Sequence, residues 1–184
     1  LGPHRDLTLA PYISSSTQTL DVRYRQAFRR GRIEFNGAYT RDDLFSGEDR
    51  GYIFGEGQFD LPRDFRFTFD VKAVSDDAYL EDYGLPELDR LRSEAVLSRA
   101  KRDSLFRASA ISYQTLRDSE NQDLIPSSIG NLYYEKRFFP TQIGGELRLS
   151  LETHGHNRTS DIKGNLTDPG GRDVGRATFD VDWQ

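Results

Sequence analysis

The chain has 184 residues and a net charge of −5; 30% of its residues are charged and 12% aromatic, with 16 Gly and neither Cys nor Met. Interspersed charges of both signs exclude a broad basic face for nucleic acid phosphates. The lack of Cys excludes disulfides and thiolate metal ligands within these residues, and no run of about 18 apolar residues supplies a transmembrane helix. A Met-free stretch opening on Leu1-Gly2-Pro3 is expected to be an internal segment of a longer polypeptide.

Alternation of apolar and polar residues, bounded by turn formers, predicts ten strands and no helix, because strand side chains repeat every two residues. The first covers Leu7 to Ile13 and contains Pro11. The second, Thr19 to Phe28, alternates Leu20, Val22, Tyr24 and Phe28 against Asp21, Arg23 and Arg25. A tight Arg29-Arg30-Gly31 turn leads to Ile33, Phe35, Gly37 and Tyr39 alternating with Glu34, Asn36 and Thr40, which makes a hairpin. Gly51 to Leu61 follows, then a Pro62-Arg63-Asp64 turn and a strand from Phe65 to Val74. In that strand Phe65, Phe67, Phe69 and Val71 oppose Arg66, Thr68, Asp70 and Lys72. Later strands are predicted at Leu91 to Ala100, Leu105 to Leu116, Ile129 to Lys136 and Ile143 to Thr153, with a Gly/Asn/Asp-rich loop from His154 to Asp173 before Ala177 to Trp183.

Connections after the second, fourth, sixth and eighth strands are short, whereas those after the third, fifth, seventh and ninth are long. Outer-membrane barrels pair short periplasmic turns with long external loops, so even-numbered strands are expected to descend to the periplasm. The fold class expected is all-β: an antiparallel up-and-down meander forming about ten strands of a large outer-membrane β-barrel, as one incomplete domain over 1–184. A soluble antiparallel sandwich or lipocalin-like barrel alternates too, so period alone leaves both open.

The segment Phe65-Arg66-Phe67-Thr68-Phe69-Asp70, followed by Val74-Ser75-Asp76 and Tyr79-Leu80-Glu81-Asp82-Tyr83, carries a family signature. It resembles the LptD family of outer-membrane lipopolysaccharide-assembly proteins, also called organic-solvent-tolerance proteins. Asp6-Leu7-Thr8-Leu9-Ala10-Pro11-Tyr12 is similar to an early barrel strand of that family with a mid-strand Pro. Gly130-Asn131-Leu132-Tyr133-Tyr134 is similar to a later Tyr-Tyr strand. The resemblance is closest from Leu7 to Tyr83, and it implies the first part of the barrel, without the family's periplasmic jellyroll or its closing strands. It further implies a translocon in the cell outer membrane of a Gram-negative bacterium. Such a translocon takes lipopolysaccharide from a periplasmic LptA-like bridge and releases it sideways into the outer leaflet. An LptE-like lipoprotein would plug its lumen.

Pro11 then matches the proline that weakens the family's lateral gate, since a strand Pro removes an N–H from the ladder. Arg23, Arg25, Glu34, Arg66, Asp70, Lys72, Glu146, Arg148 and Glu152 would line a hydrated lumen. The Val74 to Tyr83 segment is expected to order a loop through Asx-type hydrogen bonds. No catalytic residue, cofactor or metal is assigned. His154 and His156 are expected in a loop with no third ligand, and Gly55-Glu56-Gly57 precedes no helix, so it is no dinucleotide fingerprint. A passive porin and a barrel enzyme are the rival functions.

Overall fold

The computed structural model describes residues 2–44, 48–86, 88–117, 119–158 and 173–184. Among these, ten strands are hydrogen-bonded in chain order in one antiparallel sheet. They are β1 (Arg5–Ile13), β2 (Thr17–Phe28), β3 (Gly31–Asp42), β4 (Asp49–Leu61), β5 (Phe65–Val74), β6 (Arg90–Lys101), β7 (Ser104–Thr115), β8 (Ser128–Phe138), β9 (Leu147–Asn157) and β10 (Val174–Trp183). The all-β meander expected from the sequence is therefore present. The chain forms two compact units: Leu1–Phe59 with Thr68–Ser93 and Gln114–Asn121, and Asp60–Phe67 with Glu94–Tyr113 and Gln122–Gln184.

In the first unit the register sorts side chains into two faces. One cross-strand row runs Leu7, Tyr24, Phe35, Gly55 and the next Leu9, Val22, Gly37, Ile53, all on the apolar face. Rows of the other parity, such as Asp6, Arg25, Glu34, Glu56 and Tyr12, Thr19, Thr40, Arg50, lie on the polar face. The apolar face is not smooth by accident of composition. A Cβ on Gly55 would run into the Phe35 ring, one on Gly57 into Phe69, and one on Gly31 into Phe59. Rings from neighbouring strands thus lie across bare backbone, as in aromatic cover of strand glycines.

In the second unit one row runs Phe106, Tyr134, Leu151, Phe179 and another, on the opposite face, Tyr133, Glu152, Thr178, with Arg107 paired to Tyr133. Phe65 packs edge-on against Phe106, with centroids 5.7 Å apart, and the Arg99 guanidinium lies 4.7 Å over Phe65. The turn before β5 is closed by Arg63 and Asp64, both left-handed (φ 64° and 67°). Two successive positive φ values match the twist of a tight hairpin.

The apolar face is left uncovered in both units: Leu9 is 55%, Ile53 49%, Phe179 64% and Val181 60% exposed. Among the described residues only Val74, Tyr79, Leu80, Leu91 and Val96 are buried hydrophobics. A soluble sandwich of this length buries one whole face of each sheet, so this distribution argues against that alternative.

The ninth strand and the β5–β6 connection differ most from expectation. The predicted start of the ninth strand at Ile143 is wrong, because Gly144 and Gly145 take φ 70° and 80° and bend the chain there; β9 begins at Leu147. Its end lies further on, at Asn157, so His154 and His156 are strand residues rather than loop residues. The remainder of the expected His154–Asp173 loop falls largely outside the described residues. A helix also exists: α1 (Tyr79–Asp82), one turn within the β5–β6 connection, closed by Gly84 at φ 63°.

Candidate functional site

Pro11 lies in β1, which ends the strand order, and pairs with Leu20 on the apolar face. With no N–H it withdraws one donor from an edge of β1.

Most of the charged residues expected to share the polar face are paired with an opposite charge, two pairs of them with each other. Arg23 Nε donates to Glu34 Oε1 at 3.0 Å, and Arg25 Nη2 to Asp6 Oδ2 at 2.5 Å. Arg66 bonds Asp60 at 3.1 Å, Lys72 lies 3.4 Å from Asp70, and Arg148 bonds Asp182 at 2.8 Å. Glu146 precedes β9, 3.5 Å from Arg137, and Glu152 stands opposite Tyr133 and Thr178. Each exposed pair contributes about 0–1 kcal/mol, so these rows define a hydrated, charge-balanced surface more than a source of stability. In the first unit an open cavity of about 650 Å³ lies on this face, lined by Asp6, Arg25, Glu34, Glu56 and Asp70 among others.

The most tightly built cluster was only half legible in the sequence. Arg50, the second residue of β4, has its side chain 2% exposed and meets three carboxylates. Nε and Nη2 clasp Asp76 at 3.0 and 2.7 Å, Nη2 reaches Asp82 at 2.8 Å, and Nη1 reaches Asp42 at 3.2 Å. Tyr83 donates its hydroxyl to Asp42, and the Tyr79 hydroxyl lies 2.8 Å from Thr40 Oγ1. The Arg50 guanidinium sits 5.4 Å from the Tyr79 ring centre and 5.9 Å from that of Tyr83. Below them Tyr79, Leu80, Val74 and Leu91 form a buried core against Tyr52 and Phe54. Tyr52 shares the polar face with Asp21 and Ala38, so here that face is locally apolar and covered by the connection.

The electrostatics follow from this geometry. The bidentate Arg50 guanidinium holds the Asp76 carboxyl below its usual range, against burial; Ser75 and the Ala78 N–H add to the shift. Burial, then the Asp42 carboxylate, pushes the Tyr83 hydroxyl up, and burial raises Tyr79. Where an Asx-type bond is expected, Asp76 is held first by Arg50, and the Ser75 hydroxyl donates to it at 2.7 Å. Arg50 and Asp42 escaped sequence reasoning. Their only signal is polar-face parity at two facing strand ends.

Side chains of β6 and β7 also bond the β5 backbone. Ser93 Oγ accepts from Lys72 N–H at 2.9 Å and donates to Lys72 C=O at 3.1 Å. The Gln114 amide does the same for Val74, at 3.4 and 3.0 Å. In the second unit His154 Nδ1 lies 2.7 Å from the Asn131 side-chain oxygen and its Nε2 3.5 Å from His156 Nδ1. Among the described residues no group of three or more His, Cys, Asp and Glu is placed to hold a metal ion.

The family model LptD, LPS transport system D, matches residues 48–184. Pro11 precedes that match. The LPS-assembly protein LptD of Xanthomonas euvesicatoria pv. vesicatoria is 31% identical over 84 residues, which is 45% of this chain and 10% of the relative. That of Alkalilimnicola ehrlichii is 28% identical over 123 residues, 64% of this chain and 16% of the relative. That of Idiomarina loihiensis is 30% identical over 87 residues, 46% of this chain and 12% of the relative. The chain thus spans a small part of the length of the curated relatives it matches. With two-faced strands of this register and a family match over most of its residues, the chain belongs to the LptD family.

Proposed function

We propose that this chain forms part of the wall of an outer-membrane β-barrel that delivers lipopolysaccharide to the outer leaflet of a Gram-negative cell. The observation that carries the reading is the exposed apolar face, on which Leu9, Ile53, Phe179 and Val181 lie open, set back to back with rows of paired charges. Such a face, about half exposed or more at each of these residues, needs lipid or a covering partner, and a membrane barrel supplies the first. The polar rows then face a hydrated lumen, where Arg23, Arg25, Glu34, Arg66, Asp70, Lys72, Glu146, Arg148 and Glu152 meet sugar, phosphate or an LptE-like plug. Lipopolysaccharide arrives from an LptA-like bridge through parts of the protein beyond this segment. The wall guides its cargo and performs no bond-breaking chemistry.

Sideways release needs a weak seam, and Pro11, which takes one N–H out of the β1 ladder, is our candidate for it. In the full-length protein Pro11→Ala is expected to impair lipopolysaccharide delivery while the barrel still assembles. An outer membrane of unchanged permeability in that variant would overturn the gate assignment.

A further inference from the structure

We propose that Arg50 is a latch: it holds the β5–β6 connection down on the polar face of β3 and β4, and the connection lifts when that charge is removed. The proposal rests on the geometry of the first unit and not on the transport reading. Asp76 and Asp82 bracket α1, and both reach the same guanidinium, so one side chain secures the two ends of the helical turn. Asp42, at the end of β3, approaches the same guanidinium from the strand side and takes the Tyr83 hydroxyl as well. The Asp42 side chain is 0% exposed, whereas those of Asp76 and Asp82 are 31% and 29% exposed. The connection is thus anchored at an inner point and open to water at its rim.

Take the guanidinium away and three carboxylates face one another, one of them fully buried. A buried ion cluster that loses its counter-charge is strongly destabilised, because the carboxylates left behind repel one another and the buried one, Asp42, has no route to water where it stands. The carboxylates on the connection can escape by moving outward, and Asp42 on its strand cannot. The motion that relieves the repulsion is therefore lifting of residues 76–85 off Tyr52 and Phe54. Packing of Tyr79 and Leu80 opposes that motion, so the balance between charge and packing decides whether the connection stays seated.

Hydrogen exchange on the full-length protein in lipid nanodiscs tests this. The reporters are the amides of Asp82, Tyr83 and Leu85, which bond the carbonyls of Ala78, Tyr79 and Leu80 at 3.0, 3.3 and 2.8 Å. Arg50→Met is expected to speed their exchange by about tenfold or more, through local opening of the connection. Arg50→Lys falls between, because an ammonium keeps the charge and loses the fork. Adding Asp42→Asn and Asp82→Asn to Arg50→Met is expected to slow exchange again, since neutral amides do not repel. Unchanged exchange in Arg50→Met, or no slowing in the triple variant, would overturn the latch and leave packing as what seats the connection. Should Arg50→Met fail to assemble, Asp82→Asn alone gives the answer. It removes one of the two tethers, and exchange of Tyr83 and Leu85 must rise severalfold or the latch is refuted.

Discussion

Tyr79 offers the sharpest test of how the β5–β6 connection is seated, because its two contributions can be removed separately. The side chain is 1% exposed, with its ring 6.0 Å from Tyr52 and 4.7 Å from Tyr83 by centroid. Its hydroxyl adds one bond to Thr40, which is 0% exposed. Truncating a buried aromatic to Ala costs about 3–5 kcal/mol. Removing the hydroxyl alone would cost about 1–3 kcal/mol if it orphaned Thr40. It does not: Thr19 Oγ1 remains 3.1 Å from Thr40 Oγ1, which places Tyr79→Phe near the lower end, about 1 kcal/mol. At about 1.4 kcal/mol per factor of ten, the open population of the connection rises about fivefold in Tyr79→Phe and more than a hundredfold in Tyr79→Ala. Native-state proteolysis of residues 75–86 in the full-length protein reads that population directly when reclosing is fast. If Tyr79→Ala were cleaved within about tenfold of the parent rate, the connection would not be held by this core and the account of its burial would be wrong.

Acid should loosen the neighbouring connection after β7. Arg90, then Thr115, holds the Glu120 carboxyl at about 2 against an ordinary 4.5. A depressed folded value stabilises fully above the ordinary one and is lost as pH falls through the folded one. Protection of the Leu116 amide, bonded to Asp89 C=O, should therefore persist to about pH 4.5 and fade toward pH 2. Glu120→Gln should flatten that profile, and an identical acid profile in the variant would count against the pairing. Gly57→Ala should destabilise the barrel by about 1–3 kcal/mol in urea by displacing the Phe69 ring, whereas Gly155→Ala, whose Cβ would find Val174 O at 3.6 Å, should be close to neutral. Equal urea midpoints for the two would remove the argument for ring cover. Ser93→Ala with Gln114→Ala should expose the Lys72 and Val74 amides, raising their exchange while distant strands are unaffected. Full retained protection would show that these amides do not depend on those side chains.

Strands and faces were legible because a two-residue period is a local property: Phe65, Phe67 and Phe69 announce their face without knowledge of any partner. Position along a strand was less so. Ile143 continues the alternation of Leu147 and Leu149, and only the left-handed backbone of Gly144 and Gly145 interrupts it. Gly155 made the His154 region read as loop, yet it pairs with Gly130 and Gly175, so three glycines form one row across β8, β9 and β10. The Arg50 cluster was hidden for a different reason. Its acidic partners lie 8, 26 and 32 residues away, and no short window contains a cation with all its counter-charges. The family signature held Asp76, Tyr79, Asp82 and Tyr83 but was silent on what they gather around.

The bare backbone at Gly55 and Gly57 means that the skin over β4 is written in the sequences of β3 and β5. Phe35 and Phe69 decide its texture. A change on β4 larger than hydrogen evicts a neighbour's ring, and loss of that ring strips β4 without touching it. Ring and glycine can therefore drift only together, and the three strands inherit their outer surface as a single plank.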